Sequence, residues 1–121
     1  MGKVIHKKFI TRDDLKRNRD KIFLFGDNLQ ETGYGGQAKE MRGEPNSIGI
    51  PTKKSLDMNE ESFFTDNEFE DNKRTIDEAF VKIPKGKTIV VPSSGLGTGL
   101  AQLNKRAPKT FQYLQSKIKE L

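Results

Sequence analysis

Apolar positions along the chain follow two rhythms, short continuous runs and runs that recur every three or four residues. Lys21-Ile22-Phe23-Leu24-Phe25 and Thr88-Ile89-Val90-Val91 are strand-length apolar runs, as expected of strands buried on both faces. Val4 to Ile10 alternates loosely, with Val4, His6 and Lys8 set against Ile5, Lys7 and Phe9, and predicts a half-buried strand. Ser47-Ile48-Gly49-Ile50 makes one further strand, closed by Pro51-Thr52-Lys53-Lys54. Helical patterns fill the gaps. Thr11, followed by acids, suits an N-cap and first turn. Gly35 to Arg42 predicts a short helix stopped by Gly43. Thr65 is placed to cap a long helix with Phe69, Ile76, Phe80 and Ile83 on one face, ended by Pro84-Lys85-Gly86. A last helix carries Leu103, Ala107, Phe111, Leu114 and Ile118 on one face, and Pro108 must lie in its first turn or begin it. Phe63 and Phe64 are expected to tuck beneath the acidic loop that holds them. Strands alternating with helices predict one α/β domain over residues 1–121, in layers about a mixed, largely parallel central sheet.

Two glycine turns follow apolar strands and precede helices. After the strand ending at Phe25 the chain breaks at Gly26-Asp27-Asn28 and reaches Gly35-Gly36-Gln37. After the strand ending at Val91 comes Pro92-Ser93-Ser94-Gly95-Leu96-Gly97-Thr98-Gly99-Leu100, with glycine at alternate positions. Such turns accept positive φ, bring backbone close to a ligand and offer free N–H groups to phosphate. Ligands of layered α/β sheets lie beyond the carboxyl ends of the strands, so two amide-rich turns at one edge suit a diphosphate. Neither turn is a Walker loop, and neither fits the Gly-x-Gly-x-x-Gly dinucleotide fingerprint.

Composition narrows the chemistry. At 121 residues the chain is one domain, and its apolar periodicity argues against disorder despite 32% charged residues. With no cysteine there is no disulfide, no thiol nucleophile and no thiolate zinc site. The single histidine, His6, reads as a solvated strand residue, so neither a metal nor a Ser-His triad is expected. No apolar run approaches the ~18 residues of a membrane helix, and the start lacks a signal-peptide core. The expectation is a cytoplasmic protein without a membrane partner. Net charge is +5, yet Asp57 to Asp71 holds seven acids and no base. The basic remainder suits an anionic partner, nucleotide or nucleic acid.

Four stretches in this order resemble a macrodomain, closest to the type that includes terminal ADP-ribose glycohydrolases and DarG antitoxins. Pro92-x-x-Gly95-x-Gly97-x-Gly99-Leu100 is similar to that type's second phosphate loop. Ile50-Pro51-Thr52-Lys53-Lys54 resembles its strand-end motif, in which the first lysine is catalytic. Asn28, ten residues before Ala38, resembles the asparagine that meets the distal ribose, and Gly35-Gly36-Gln37-Ala38 the first phosphate loop. Asp14 has the spacing of the acid that holds the adenine amino group, although Arg12-Asp13 stands where a glycine is expected. The resemblance implies a macrodomain-like α/β/α fold and binding of ADP-ribose or a related nucleotide. It also implies hydrolysis of an ADP-ribosyl linkage on nucleic acid or protein, with no cofactor.

On that reading Lys53 is nucleophile or electrostatic catalyst at the anomeric carbon, and Asn28 orients the ribose or a water. Asp27 is placed as a ligand contact or general base. Gly35, Gly36, Gln37, Ser93, Ser94, Gly95, Leu96, Gly97, Thr98 and Gly99 line the phosphates, and Asp14 the adenine. Spacing alone leaves plainer readings open. Lys53-Lys54 is then a surface pair, Asn28 and Asp27 are turn residues, and Lys39 and Arg42 form a solvated face. Gly99 stands where glycohydrolases of the human type carry an acid, which favours a second hypothesis, a module that binds the nucleotide without turnover. A third, a basic nucleic-acid binder, fits the charge but lacks a recognisable binding motif.

Overall fold

The computed structural model describes residues 3–121. Its sheet runs in the order β1 (Val4–Lys7), β4 (Thr88–Pro92), β2 (Lys21–Asn28), β3 (Ser47–Lys53). All three pairings are parallel, with Val4 opposite Ile89, Ile22 opposite Ile89 and Leu24 opposite Ile48. The sheet is therefore wholly parallel rather than mixed. The one antiparallel contact among the described residues outside it is an isolated bridge between Lys53 and Phe63. Helix-bearing crossovers between successive strands leave no hairpin that would reverse a strand.

Side-chain alternation divides the core. Phe23, Phe25 and Val90 face one way and meet Leu15 of α1 (Arg12–Arg17) and Ala38 and Met41 of α2 (Ala38–Met41). Leu24, Ile89 and Val91 face the other way. There they meet Ile76 and Ala79 of α3 (Phe69–Val81), Leu103 of α4 (Leu103–Arg106), and Leu114 and Ile118 of α5 (Pro108–Lys119). The result is helix, sheet, helix.

Strand order explains which helix lies on which face. From β1 to β2 to β3 the chain advances across the sheet, and from β3 to β4 it returns. Right-handed crossovers then put α1 and α2 on one face and α3 on the other. After β4 the chain continues into α4 and α5 on the α3 side. The adjacent ends of β2 and β4 thus send the chain to opposite faces, which opens a crevice between them.

Several elements differ in extent from their sequence pattern. β1 stops at Lys7, and His6 on it is exposed as expected. β2 runs on through Gly26-Asp27-Asn28 because β3 pairs alongside that stretch. The turn after Gly35-Gly36 becomes helical only at Ala38. Thr11 caps α1 in a capping box with Asp14, as its sequence suggests. Thr65, by contrast, makes no side-chain cap; it opens a 3-10 turn, Asp66–Glu68, and α3 begins at Phe69. The expected last helix is two helices, because Pro108 is the first residue of α5.

Asp66 supplies the cap that α5 lacks locally. Its carboxylate accepts from the Lys109 amide at 2.9 Å and from the Thr110 amide and hydroxyl at 3.0 Å each. The acidic stretch is therefore more than a solvated loop. Glu60 pairs with Arg106 at 2.7 Å and Glu68 with Lys54 at 2.6 Å, while Phe63 and Phe64 are buried beneath it as expected. No described helix is long and apolar enough to cross a membrane.

Tyr113 joins α5 to α3: its phenol donates to Asp77, and Phe69 meets its ring edge-on at 6.0 Å. Burial, then the Asp77 hydrogen bond and charge, push its pKa up to about 12 from the ordinary 10.0. The neutral phenol is favoured by folding, so this stabilisation is intact below the ordinary value and is lost as pH rises through about 12. In a Tyr34→Phe background, phenolate absorbance is expected to titrate with a midpoint of about 12. Asp77→Asn is expected to lower that midpoint. A wild-type midpoint at the ordinary value would remove the contact from the account of α3–α5 packing.

Candidate functional site

Beyond the carboxyl ends of β2 and β4, at the crevice set by the topology, lies a cleft of about 470 Å³. Gly35, Gly36 and Gln37 line it from the first glycine loop, and Ser94 to Ala101 from the second. Gly26, Thr52 and Pro92 complete the lining from the strands. A smaller hollow of about 100 Å³ shares Gly26, Gly35, Thr52, Leu100 and Ala101 with the cleft and reaches Asp27, Asn28, Arg42 and Lys53.

The loops meet because side chains are missing where they cross. A Cβ on Gly26 would stand 3.3 Å from the Gly97 amide nitrogen and 3.2 Å from Thr52 Oγ1. A Cβ on Gly97, whose φ is +80°, would come within 3.0 Å of Thr52 and Leu103. The Gly97 carbonyl accepts from Leu103 at 2.8 Å and so starts α4, and Thr98 Oγ1 donates to Ser94 O at 2.8 Å to close the loop. Among the described residues nothing accepts from the amides of Gly35 and Gly36 or of Gly97 to Leu100. Both loops therefore keep backbone donors, the arrangement that binds anions. Gln37 Oε1 is buried without a partner, an acceptor left open beside them.

In the hollow, side chains are largely committed to one another. Asp27, 9% exposed, receives both terminal nitrogens of Arg42, one at 3.2 Å, and the Asn28 amide at 2.8 Å. Arg42 also donates to Gly33 O at 2.7 Å and Thr32 O at 3.2 Å, and lies 5.4 Å from the centre of the Phe25 ring. One guanidinium thus fixes the loop leading to the first glycine pair. Asn28 closes a turn: its Nδ2 donates to Thr32 O at 2.8 Å and its Oδ1 accepts from Gln30 N at 3.0 Å.

Lys53 owes its position to a bulge. Pro51 lies opposite Asp27 and Lys53 opposite Asn28, so Thr52 is the extra residue, and consecutive Thr52 and Lys53 are both buried. The Lys53 ammonium donates to the carbonyls of Leu56, at 3.1 Å, and Asp57. Burial holds its pKa below the ordinary lysine value; the Asp57 charge opposes that shift and the Arg106 charge adds to it.

One family model matches residues 5–117, nearly the whole of this architecture. The chain belongs to the DUF7831 family. That family is described as one of unknown function. No curated protein and no solved structure matches the chain.

The fold of this DUF7831 chain brings together most of the residues singled out from sequence. Gly35, Gly36, Gln37, Ser94, Gly95, Leu96, Gly97, Thr98 and Gly99 line the cleft, and Asp27, Asn28 and Lys53 the adjoining hollow. Ser93 lies instead in a groove between β1 and α5, with His6. Asp14 lines neither cleft nor hollow; its carboxylate accepts from the Thr11 amide at 2.9 Å. Arg42 is not the solvated residue that spacing alone suggests, whereas Lys39 is exposed. Its signal was its place four residues after Ala38, on the buried side of α2. Thr52 and Leu100 also line both spaces. No three His, Cys, Asp or Glu side chains converge among the described residues as metal ligands would.

Arg42→Met is expected to destabilise the fold by about 3–5 kcal/mol, since it leaves Asp27 buried and unpaired. Adding Asp27→Asn should recover part of that loss. Urea denaturation of both variants measures this, and an equal loss in the double variant would show that the ion pair is not what Arg42 contributes.

Proposed function

We propose that this chain binds a nucleotide of the ADP-ribose type, with its diphosphate between the two glycine loops. The observation that carries the reading is the pair of loops with unpaired amides, facing each other across a cleft at the crevice between β2 and β4. Backbone donors of this kind hold phosphate oxygens without a metal or a dedicated cation. The helix–sheet–helix layering and the cleft's place at the strand ends support a macrodomain-like architecture. Asn28 retains one N–H for a ribose hydroxyl after its two loop hydrogen bonds. ADP-ribosylated DNA or protein as the carrier of the nucleotide, and a cytoplasmic setting, belong to the same reading.

Lys53 favours a second reading, hydrolysis of the ADP-ribosyl linkage. Its amine lines the hollow next to the cleft, and burial lowers its pKa, which enlarges the neutral, nucleophilic fraction. Asp27, engaged by Arg42, is not free to act as a base beside it. Binding without turnover is therefore the function the geometry supports best. Release of free ADP-ribose over time from an ADP-ribosylated peptide or oligonucleotide, abolished in Lys53→Ala, would favour the hydrolase instead.

Calorimetric titration with ADP-ribose is the primary test. Gly99 has open space where a Cβ would stand, so Gly99→Glu adds a carboxylate at the cleft without strain. It is expected to weaken binding about tenfold or more through repulsion of the diphosphate. A Gly97 substitution cannot serve, because positive φ and the contact with Thr52 would disturb the fold itself. No heat of binding from the wild type would overturn the nucleotide reading.

A further inference from the structure

Lys53 carries a buried positive charge, 7% exposed, that belongs to no ion pair among the described residues. Buried charges are ordinarily matched by opposite charge. The acceptors here are neutral: the Leu56 and Asp57 carbonyls, with Met58 Sδ at 3.4 Å. The Phe63 ring lies 4.8 Å from Nζ, a second cation, Arg106, stands 3.8 Å from the centre of that ring, and the Asp57 charge acts on the ammonium without forming an ion pair with it.

The segment these bonds hold is itself lightly anchored. From Leu56 to Met58, the hydrogen bonds that the chain makes among the described residues are those from Lys53. On the near side Ser55 is tied to Ser62 by hydroxyls at 2.7 Å. Leu56 and Met58 are 51% and 53% exposed, although both line the hollow. Leu56 lies against Gly33, where a Cβ would come within 2.3 Å of its Cδ2. The segment thus spans from the end of β3 to the loop that Arg42 fixes, and Lys53 fastens it from beneath.

We propose that Lys53 is a masked anion site and that Ser55–Met58 is the lid that masks it. A phosphate of the bound diphosphate, on the side of the cleft that shares Gly26, Gly35 and Thr52 with the hollow, replaces the Leu56 and Asp57 carbonyls on the ammonium, and the lid is released. This rests on the reading of the cleft as a site for a phosphate-bearing nucleotide. The exchange is favourable because a hydrogen bond from an ammonium to an ionised oxygen is roughly twice as strong as one between neutral groups. It also gives the buried ammonium the direct ionic partner it lacks among the described residues. The released carbonyls pass to water, and the half-exposed Leu56 and Met58 leave little apolar burial to hold the lid shut.

Amide hydrogen exchange on the full chain tests this at Lys54, Ser62 and Phe63, whose amides are hydrogen-bonded at the lid's base. ADP-ribose is the probe. It is expected to speed exchange at these three amides about tenfold while slowing it across residues 94–101. Lys53→Met, which keeps the side chain's bulk and removes its donors, is expected to give the same rise at the lid base without ligand. If ADP-ribose protects 94–101 but leaves the lid base unchanged or slower, the masking proposal is overturned and the nucleotide reading stands. If it alters neither segment, both fall. Should Lys53→Met lose its fold, the ligand arm on the wild type decides alone.

Discussion

Two strand ends and the second glycine loop converge at a point that has no room for a further side chain, and the rest of the cleft follows from it. Gly26 at the end of β2 faces the Gly97 amide, and Thr52 from the bulge in β3 fills the space that a Cβ on either glycine would need. Because the contact is backbone against backbone, the second glycine loop is held at the strand ends rather than standing off in solvent. From there Gly97 starts α4 through its carbonyl, and Leu100 reaches the first loop, where a Cβ on Gly35 would lie 3.2 Å from its Cδ1. Close packing of this kind tolerates little change in volume. It ties the shape of the cleft to the same residues that terminate the sheet.

The charges near the cleft are spent on building it. Asp27 and Arg42 satisfy each other and the loop carbonyls, and Lys53 holds a loop of its own. What lines the cleft without a partner is the partial positive charge of unpaired amides, whose direction is set by backbone geometry and does not titrate. A net charge of +5 has the sign that attracts anions from a distance. The fit of a diphosphate would depend on the loops.

The acidic stretch has a comparable double character. Its composition is that of a solvated loop, yet Asp66 caps α5 and Glu60 and Glu68 bridge to Arg106 and Lys54. Exposed ion pairs contribute little to stability, but a carboxylate on the amides at a helix start contributes about 1 kcal/mol. The stretch between β3 and α3 is therefore fastened mainly by Asp66 and by the two buried phenylalanines beneath it.

Much of this fold is legible in the residues themselves. The apolar runs at Lys21–Phe25 and Thr88–Val91 could only be interior strands, and the capping box at Thr11 and the proline at 108 mark helix starts by local chemistry. The two glycine loops announced a cleft lined by unpaired amides, because amide exposure and positive φ are properties of short segments. Other features depended on partners far along the chain. The parallel sense of the whole sheet came from the route of three crossovers, and the extension of β2 through Asn28 from pairing with β3. The engagement of Asp27 by Arg42 and the burial of Lys53 are likewise tertiary, whereas the turn role of Asn28, made with Gln30 and Thr32, is local and was open to the sequence. A residue's type and spacing decide what bonds it is able to make. Which of them it makes is decided by the neighbours that folding delivers, and by how completely they exclude water.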